Sequence, residues 1–370
     1  MAQSSGNKTG ADGNVRKQKT KIRGVRKIKN TELCPFTQKL AAMLDAGLPL
    51  VQCMEALSDQ TDNPEFRKIV VDIKERIEGG DSFAEALRHY HELFGDLYVN
   101  MIQAGEIGGG LSEVTARLAS YLEASVALKR KVKSALTYPV IVMILSGVLT
   151  IAMLVFIVPT FAEIYKDFDA ELPKPTKVLV KISDIVRGQA VYVMIFFALL
   201  WYVIHRIKKT DQGTYMFDQF VLKMPVAGQL LEKIALARMA RTFASLVRSG
   251  VPILKTLEIV SQATGNRYIG RALETCGGEI EGGANIAASL KNTNQFPPMV
   301  IHMIAAGEKT GNIDGMLEKV ADFYEDEVTN ALESLSSMIE PLLMAFLGVV
   351  IGGIVICMFL PIFKMNEIVQ

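Results

Sequence analysis

From Ser134 to Ala162 the chain reads SALTYPVIVMILSGVLTIAMLVFIVPTFA, 29 residues without a charged side chain, bracketed by Pro139 and Pro159. A helix of about 20 apolar residues, rising about 1.5 Å each, crosses a hydrocarbon core of about 30 Å. Val140 to Val158 alone nearly supplies that length. The device recurs near the C-terminus, where Pro341 to Phe363 reads PLLMAFLGVVIGGIVICMFLPIF and the two prolines lie 202 residues after Pro139 and Pro159. One span has a twin.

A chain of 370 residues has room for two or three domains. With half its residues apolar and a mean hydropathy of +0.26, it groups with integral membrane proteins. The net charge of +1 conceals an asymmetry, since residues 1–30 carry nine Lys or Arg (Lys8, Arg16, Lys17, Lys19, Lys21, Arg23, Arg26, Lys27, Lys29) against one acid, Asp12. Such a tail cannot bury a core and reads as disordered; its partner is either an anionic lipid surface or solvent alone. No apolar h-region follows the charges, so the tail is not a secretory signal. Cys34, Cys53, Cys276 and Cys357 are scattered, as buried or lipid-facing thiols are, and form no disulfide or zinc pattern.

Residues 31–133 read as short helices joined by tight turns. Gly47 suits the left-handed position after one helix and Pro49 the opening of the next. Asn63-Pro64 has the form of an N-cap followed by proline, and Ser82-Phe83-Ala84-Glu85 that of a capping box. A loop from Ala104 to Gly110 follows, and from Leu111 one long helical pattern runs through Tyr121 and Leu128 into the first span.

Residues 239–363 repeat residues 36–161. Gly47-Leu48-Pro49-Leu50 falls on Gly250-Val251-Pro252-Ile253, and Ile77-Glu78-Gly79-Gly80 on Ile280-Glu281-Gly282-Gly283, at an offset of 203. After one residue of adjustment, Ala104-Gly105-Glu106 meets Ala306-Gly307-Glu308, and Gly109 meets Gly311. Glycines and prolines constrain the backbone, so the two halves are expected to share a fold.

Between the repeats Ala190 to Ile204 is apolar, and with Gly188 and Gln189 it stays uncharged for 17 residues, the short end of what spans. Tyr192, Trp201 and Tyr202 suit interfacial anchors. Lys129, Arg130, Lys131 and Lys133 precede the first span, and Arg206, Lys208 and Lys209 follow the second, so both flanks belong in the cytoplasm by the positive-inside rule. Glu333 and Glu340 before the third span and Lys364 after it point weakly the other way; parity and repeat equivalence outweigh them. The expected order is a basic tail (1–30), a cytoplasmic bundle (31–133), a span (134–160), a charge-balanced external loop (161–187), a span (188–205), a second cytoplasmic bundle (206–338), a span (339–363) and a short external tail (364–370).

FTQKLAAMLDAGLPL (Phe36 to Leu50), AGE-x-x-G in each repeat, KVKSALTYPV (Lys131 to Val140), VPTFAEIY (Val158 to Tyr165) and LPKPTKVLVKISDIVR (Leu172 to Arg187) together resemble the PilC/GspF family of inner-membrane platform proteins. The match runs from Phe36 to Phe363, and DQTDNPEFR with LPKPT looks more like the pilus branch than the type II secretion branch. Family members often carry a further N-terminal segment, for which this chain has only the basic tail. The resemblance implies an all-α polytopic protein with two six-helix cytoplasmic bundles and three transmembrane helices. It further implies a non-enzymatic role without cofactors, coupling a cytoplasmic hexameric ATPase to insertion or extraction of pilin or pseudopilin. Other inner-membrane alignment proteins and further copies of the chain are the remaining expected partners, with no nucleic acid.

The residues argue separately against chemistry. Gly307-Glu308-Lys309-Thr310-Gly311 places Glu308 where a phosphate-binding loop needs glycine, and no strand precedes it. His89, His91, His205 and His302 have no metal spacing. The spans hold no Asp, Glu, Lys or Arg, so the ion pathway that a secondary transporter needs is not evident. Gly147, Gly348, Gly352 and Gly353 would permit close helix packing. Glu106 and Glu308 are expected to cap the helix that follows each. With Gly47, Pro49, Gly105, Gly109, Pro139, Pro159, Gly250, Pro252, Gly307, Gly311, Pro341 and Pro361 they form the set of structural or partner-contact candidates.

Overall fold

The computed structural model describes residues 30–167, 173–188 and 190–368. The basic tail before Asn30, and Asp169, Glu171 and Leu172 of the connection between spans, lie outside the described residues. Among the described residues all regular structure is helical.

The first repeat folds as α1 (Asn30–Asp45), α2 (Leu50–Asp59), α3 (Pro64–Glu78), α4 (Phe83–Arg88), α5 (His91–Gly108) and the start of α6 (Leu111–Ala152). Local signals set its turns. Gly47 has φ 79° and closes α1 with bonds from its own N–H to Leu44 and from Leu48 N–H to Met43, the paired pattern that a left-handed residue after a helix permits. Pro49 stands at the N-cap of α2 rather than inside it. Asn63 Oδ1 accepts from the N–H groups of Glu65 and Phe66, and Ser82 and Glu85 form the reciprocal capping box.

A short π-helical turn, Met153–Ile157, joins α6 to α7 (Val158–Asp167); α8 (Lys174–Gly188), α9 (Ala190–Ile207) and α10 (Asp211–Leu222) lead to the second repeat. That repeat is α11 (Ala227–Arg248), α12 (Ile253–Ala263), α13 (Arg267–Glu281), α14 (Ile286–Asn292), α15 (Pro298–Thr310) and α16 (Ile313–Ile368). Gly250, at φ 78°, reproduces the bond pair of Gly47. Even the donor behind the turn is reproduced: Cys53 Sγ reaches the Leu48 carbonyl, and Thr256 Oγ1 the equivalent Val251 carbonyl. Each bundle has six helices, as the resemblance implies, and one cluster of buried apolar side chains runs through both.

Three expectations change. The stretch from Ala104 to Gly108 is the last turns of α5, not a loop, and the turn is confined to Gly109 (φ 72°) and Gly110. Gly105 and Gly307 therefore act through close approach. A Cβ at Gly105 would sit 3.0 Å from Val114 Cβ, and one at Gly307 would sit 2.8 Å from Ile313 Cα, so the absent side chain lets α5 and α15 press on the helices that follow. The connection expected as an external loop from 161 to 187 is largely helical, because its apolar and hydroxyl residues recur at helical spacing and find a surface on the spans. Finally, α16 continues to Ile368 with no break where a tail was expected.

Among the described residues two helices are long and apolar enough to cross a membrane, Leu111–Ile164 and Ile313–Leu360. Both carry their helical backbone through Pro139 and Pro341. The apolar stretch described in α9, Ala198–Ile207, falls short of that length. Gly147, Gly348, Gly352 and Gly353 have nothing within 4 Å of the place a Cβ would occupy, so they do not serve close packing within the chain.

These clearances separate two kinds of glycine. Gly307→Ala forces backbone against backbone and should cost about 1–3 kcal/mol. Gly348→Ala fills open space in a helix and should be neutral or stabilising. Thermal unfolding of the nanodisc-reconstituted protein checks both.

Candidate functional site

Glu106 and Glu308 sit in the last turns of α5 and α15, where the helix dipole disfavours a carboxylate. Each reaches back to an earlier helix instead. Glu106 accepts from the N–H groups of Phe83 (2.6 Å) and Ala84 (2.9 Å) at the start of α4. Glu308 accepts from Ile286 (2.5 Å) and Ala287 (3.0 Å) at the start of α14. The sequence correctly suggests capping but assigns it to the wrong helix, since α6 begins at Gly110 without a side-chain cap and α16 is served by Asn312, which accepts from Gly315. Glu308 is thus committed to a helix N-terminus and Lys309-Thr310 end a helix, so this segment is no phosphate cradle.

The bundles join the membrane helices along one axis. α11 runs antiparallel to α16 through a ladder of ion pairs: Arg248 with Asp314 and Glu318, Arg241 with Asp322 and Glu325, and Lys233 with Glu327. Burial works against the charge on Asp314, but Arg248 outweighs it and holds the carboxyl below its usual range. In the first repeat the same register is kept with weaker partners, Gln38 to Glu123 and Ser112 to Asp45. The bundles then meet each other. Tyr121 Oη lies 3.2 Å from Thr242 Oγ1, and Lys131 Nζ donates to Thr329. Burial raises the Tyr121 hydroxyl above its ordinary pKa, so it stays neutral. Arg117 also donates to the Arg248 carbonyl.

At the far end of the apolar stretches, Leu154 and Val158 pack with Ile354 and Met358, and Leu179, Val180 and Val186 of α8 pack against this cluster. Here the prolines act. Pro361 has no N–H, so the Cys357 carbonyl loses its donor four residues on. Thr176 Oγ1 donates to that carbonyl at 2.6 Å. In the π-helical turn the Val158 N–H bonds Met153 instead of Leu154, and the next residue, Pro159, has none to offer. Ser183 Oγ donates to the Leu154 carbonyl. Thr176 and Ser183 are both buried, seven residues apart on one face of α8. Hydrocarbon offers an orphaned carbonyl no water, so α8 is a clasp that completes both spans at once.

The structure thus brings Pro159 and Pro361 into one site at the ends of the spans, and Gly105 with Glu106, like Gly307 with Glu308, into one helix corner in each bundle. Gly47, Pro49, Gly250 and Pro252 lie in separate turns. Sequence reasoning missed Thr176, Ser183, Tyr121 and Thr242. For the first two the available signal is a pair of hydroxyls at helical spacing in the LPKPT segment. Cys34, Cys53 and Cys276 are buried and Cys357 is half-buried, all free; burial, aided by Glu279, pushes Cys276 up to about 12. Among the described residues no group of three or more metal-ligating side chains assembles.

Losing two charge-assisted bonds, Glu106→Ala should destabilise by about 2–4 kcal/mol and Glu308→Ala by a similar amount. Hydrogen exchange should rise first at Phe83 and Ala84 in one variant and at Ile286 and Ala287 in the other. Thr176→Val and Ser183→Ala should each cost about 1–3 kcal/mol by stranding a carbonyl. Thr176→Ser keeps the donor and should recover most of the loss. Thr160→Ala removes only a bond to its own helix, and denaturation in nanodiscs should find it near neutral.

The family model described as "Type II secretion system (T2SS), protein F" matches residues 36–159 and 239–361, the two repeats. The type IV pilus assembly protein PilC of Myxococcus xanthus is 42% identical over 356 residues, covering 94% of this chain and 84% of that protein. PilC of Thermus thermophilus is 43% identical over 339 residues, 90% of this chain and 82% of that protein. The type II secretion system protein F of Xanthomonas campestris pv. campestris is 32% identical over 338 residues, 91% of this chain and 84% of that protein. With both repeats matched and such similarity along nine-tenths or more of its length, the chain belongs to the PilC/GspF family, the type II secretion protein F family.

Proposed function

We propose that this chain is a non-enzymatic inner-membrane platform of a type IV pilus assembly machine, coupling a cytoplasmic hexameric ATPase to the insertion or extraction of pilin. The observation that carries the proposal is the unbroken passage of α6 and α16 from bundle to membrane stretch. α6 meets α16 at the bundle end, through Lys131 and Thr329, and the π-helical turn and α7 that continue it meet α16 again in the cluster of Leu154, Val158, Ile354 and Met358. A push on either bundle is therefore delivered along a helix rather than through a flexible linker. Greater identity to pilus-named relatives than to the secretion protein favours the pilus branch; the second reading is a type II secretion platform.

In this reading both bundles are cytoplasmic, α9 is the third span, and α8 lies toward the outer side. The exposed apolar side chains of α9, among them Ile195, Leu199 and Trp201, then face lipid, pilin or another copy of the chain. The lipid bilayer and inner-membrane alignment proteins complete the set of partners.

Arg130→Gly with Lys131→Pro should leave membrane insertion intact and abolish piliation, since it breaks α6 between bundle and span. Normal piliation would reduce the span to an anchor. Deletion that stops exoprotein export and spares pili would select the secretion branch. For orientation, an impermeant thiol reagent applied outside should label Lys174→Cys and Asn366→Cys and leave Asp62→Cys untouched; the reverse pattern would refute it.

A further inference from the structure

α10 is fixed on one side and bare on the other. Its Asp218 carboxylate accepts from the Arg267 N–H at 2.6 Å, at the start of α13. Tyr215 packs on Tyr268 and under the Arg271 guanidinium. Lys208 Nζ stands 4.0 Å above the Phe217 ring, tying the helix to the chain before it. Against this, Met216 is 69% exposed and Phe220 67%, and Met224 just beyond the helix is exposed too. The spacing of four puts Met216 and Phe220 on one stripe of α10, and Met224 follows just past its end. Large apolar side chains in a row on a firmly packed helix call for a covering surface.

Two independent features say where that stripe lies. The ion-pair ladder makes α11 antiparallel to α16, from Arg248 beside Asp314 to Lys233 beside Glu327. Going back along α11 toward α10 is therefore going along α16 toward the apolar stretch that opens at Pro341. From the other side, only Lys208, Lys209 and Thr210 separate α10 from the apolar α9. The local charge agrees, with Arg206, Lys208, Lys209 and Lys223 against Asp211 and the engaged Asp218.

We propose that α10 is an interfacial helix lying on the inner leaflet, with Met216, Phe220 and Met224 sunk at the headgroup boundary and Lys208, Lys209 and Lys223 facing acidic headgroups. Such a helix combines an apolar edge with flanking cations. The inference rests on the cytoplasmic placement of the second bundle and on α9 being a span. Its effect is to brace the base of the second bundle against the membrane, so that the bundle does not swing about α16.

The test uses the full-length protein in nanodiscs of phosphatidylcholine with phosphatidylserine, in a Cys357→Ser background, labelled with a fluorophore at one introduced cysteine. Met216→Cys should be quenched by a lipid-borne nitroxide, as should Leu199→Cys in α9. Leu254→Cys, an exposed position at the opposite end of the bundle, should be quenched only from water. Adding Phe220→Gln removes part of the apolar edge and should lower the lipid quenching at Met216→Cys toward the Leu254 level. If Met216→Cys is quenched from water while Leu199→Cys is quenched from lipid, the interfacial helix is refuted and the span stands. If Met216→Cys is shielded from both quenchers, a protein covers it, and the lipid assignment falls. Quenching of Leu199→Cys from water would overturn the underlying span.

Discussion

A proline in a membrane helix removes one N–H and leaves one carbonyl without a donor, and hydrocarbon supplies no water to take its place. Much of the arrangement around the spans follows from how this chain meets that constraint. Thr176 and Ser183 bring donors from a separate helix, so α8 must lie against both spans and in a single orientation. The cluster formed by Leu154, Val158, Ile354 and Met358 lies at the same level, where α8 closes over the π-helical turn, α7 and α16. The prolines therefore couple the two halves of the chain through a third element.

At the bundle end the coupling has a different chemistry. There α11 and α16 are held by paired charges, several of them half-exposed, and α1 and α6 by neutral or singly charged partners in the same register. Half-exposed pairs add little stability each, and the buried apolar cluster that spans both bundles supplies the larger share. What the charges add is a matched pair of faces. Cations line the side of α11 that meets α16 and acids line the facing side of α16, so the two helices attract along their length.

The elements legible in the sequence are those whose cause is local. Gly47 and Gly250 adopt positive φ because the turn needs it, Asn63 and Ser82 cap the helices beside them, and the repeat could be traced through its glycines and prolines. Where the cause is tertiary, the sequence misleads or is silent. Glu106 and Glu308 look like caps for the next helix because they stand just before it, yet their ligands lie more than twenty residues upstream. The segment from 161 to 187 reads as a loop because its charges balance, and its helical packing depends on carbonyls that prolines expose elsewhere in the chain. Gly105 and Gly307 give a signal, but whether it means positive φ or close approach is decided by the neighbouring helix.

The π-helical turn at Met153–Ile157 has no counterpart in α16, which stays α-helical through the equivalent residues. A π-turn holds about 4.4 residues per turn against 3.6, so five such residues rotate everything beyond them by about a quarter turn. Equivalent side chains within this turn and α16 also part company. Leu154 is buried while its counterpart Ile356 is 64% exposed, and Met358 is buried while its counterpart Phe156 is 69% exposed. The duplication that makes the bundles alike is cancelled at the far end of the spans. Any assembly of n such chains thus has 2n similar bundles and only n copies of any given face at the far end of the apolar helices.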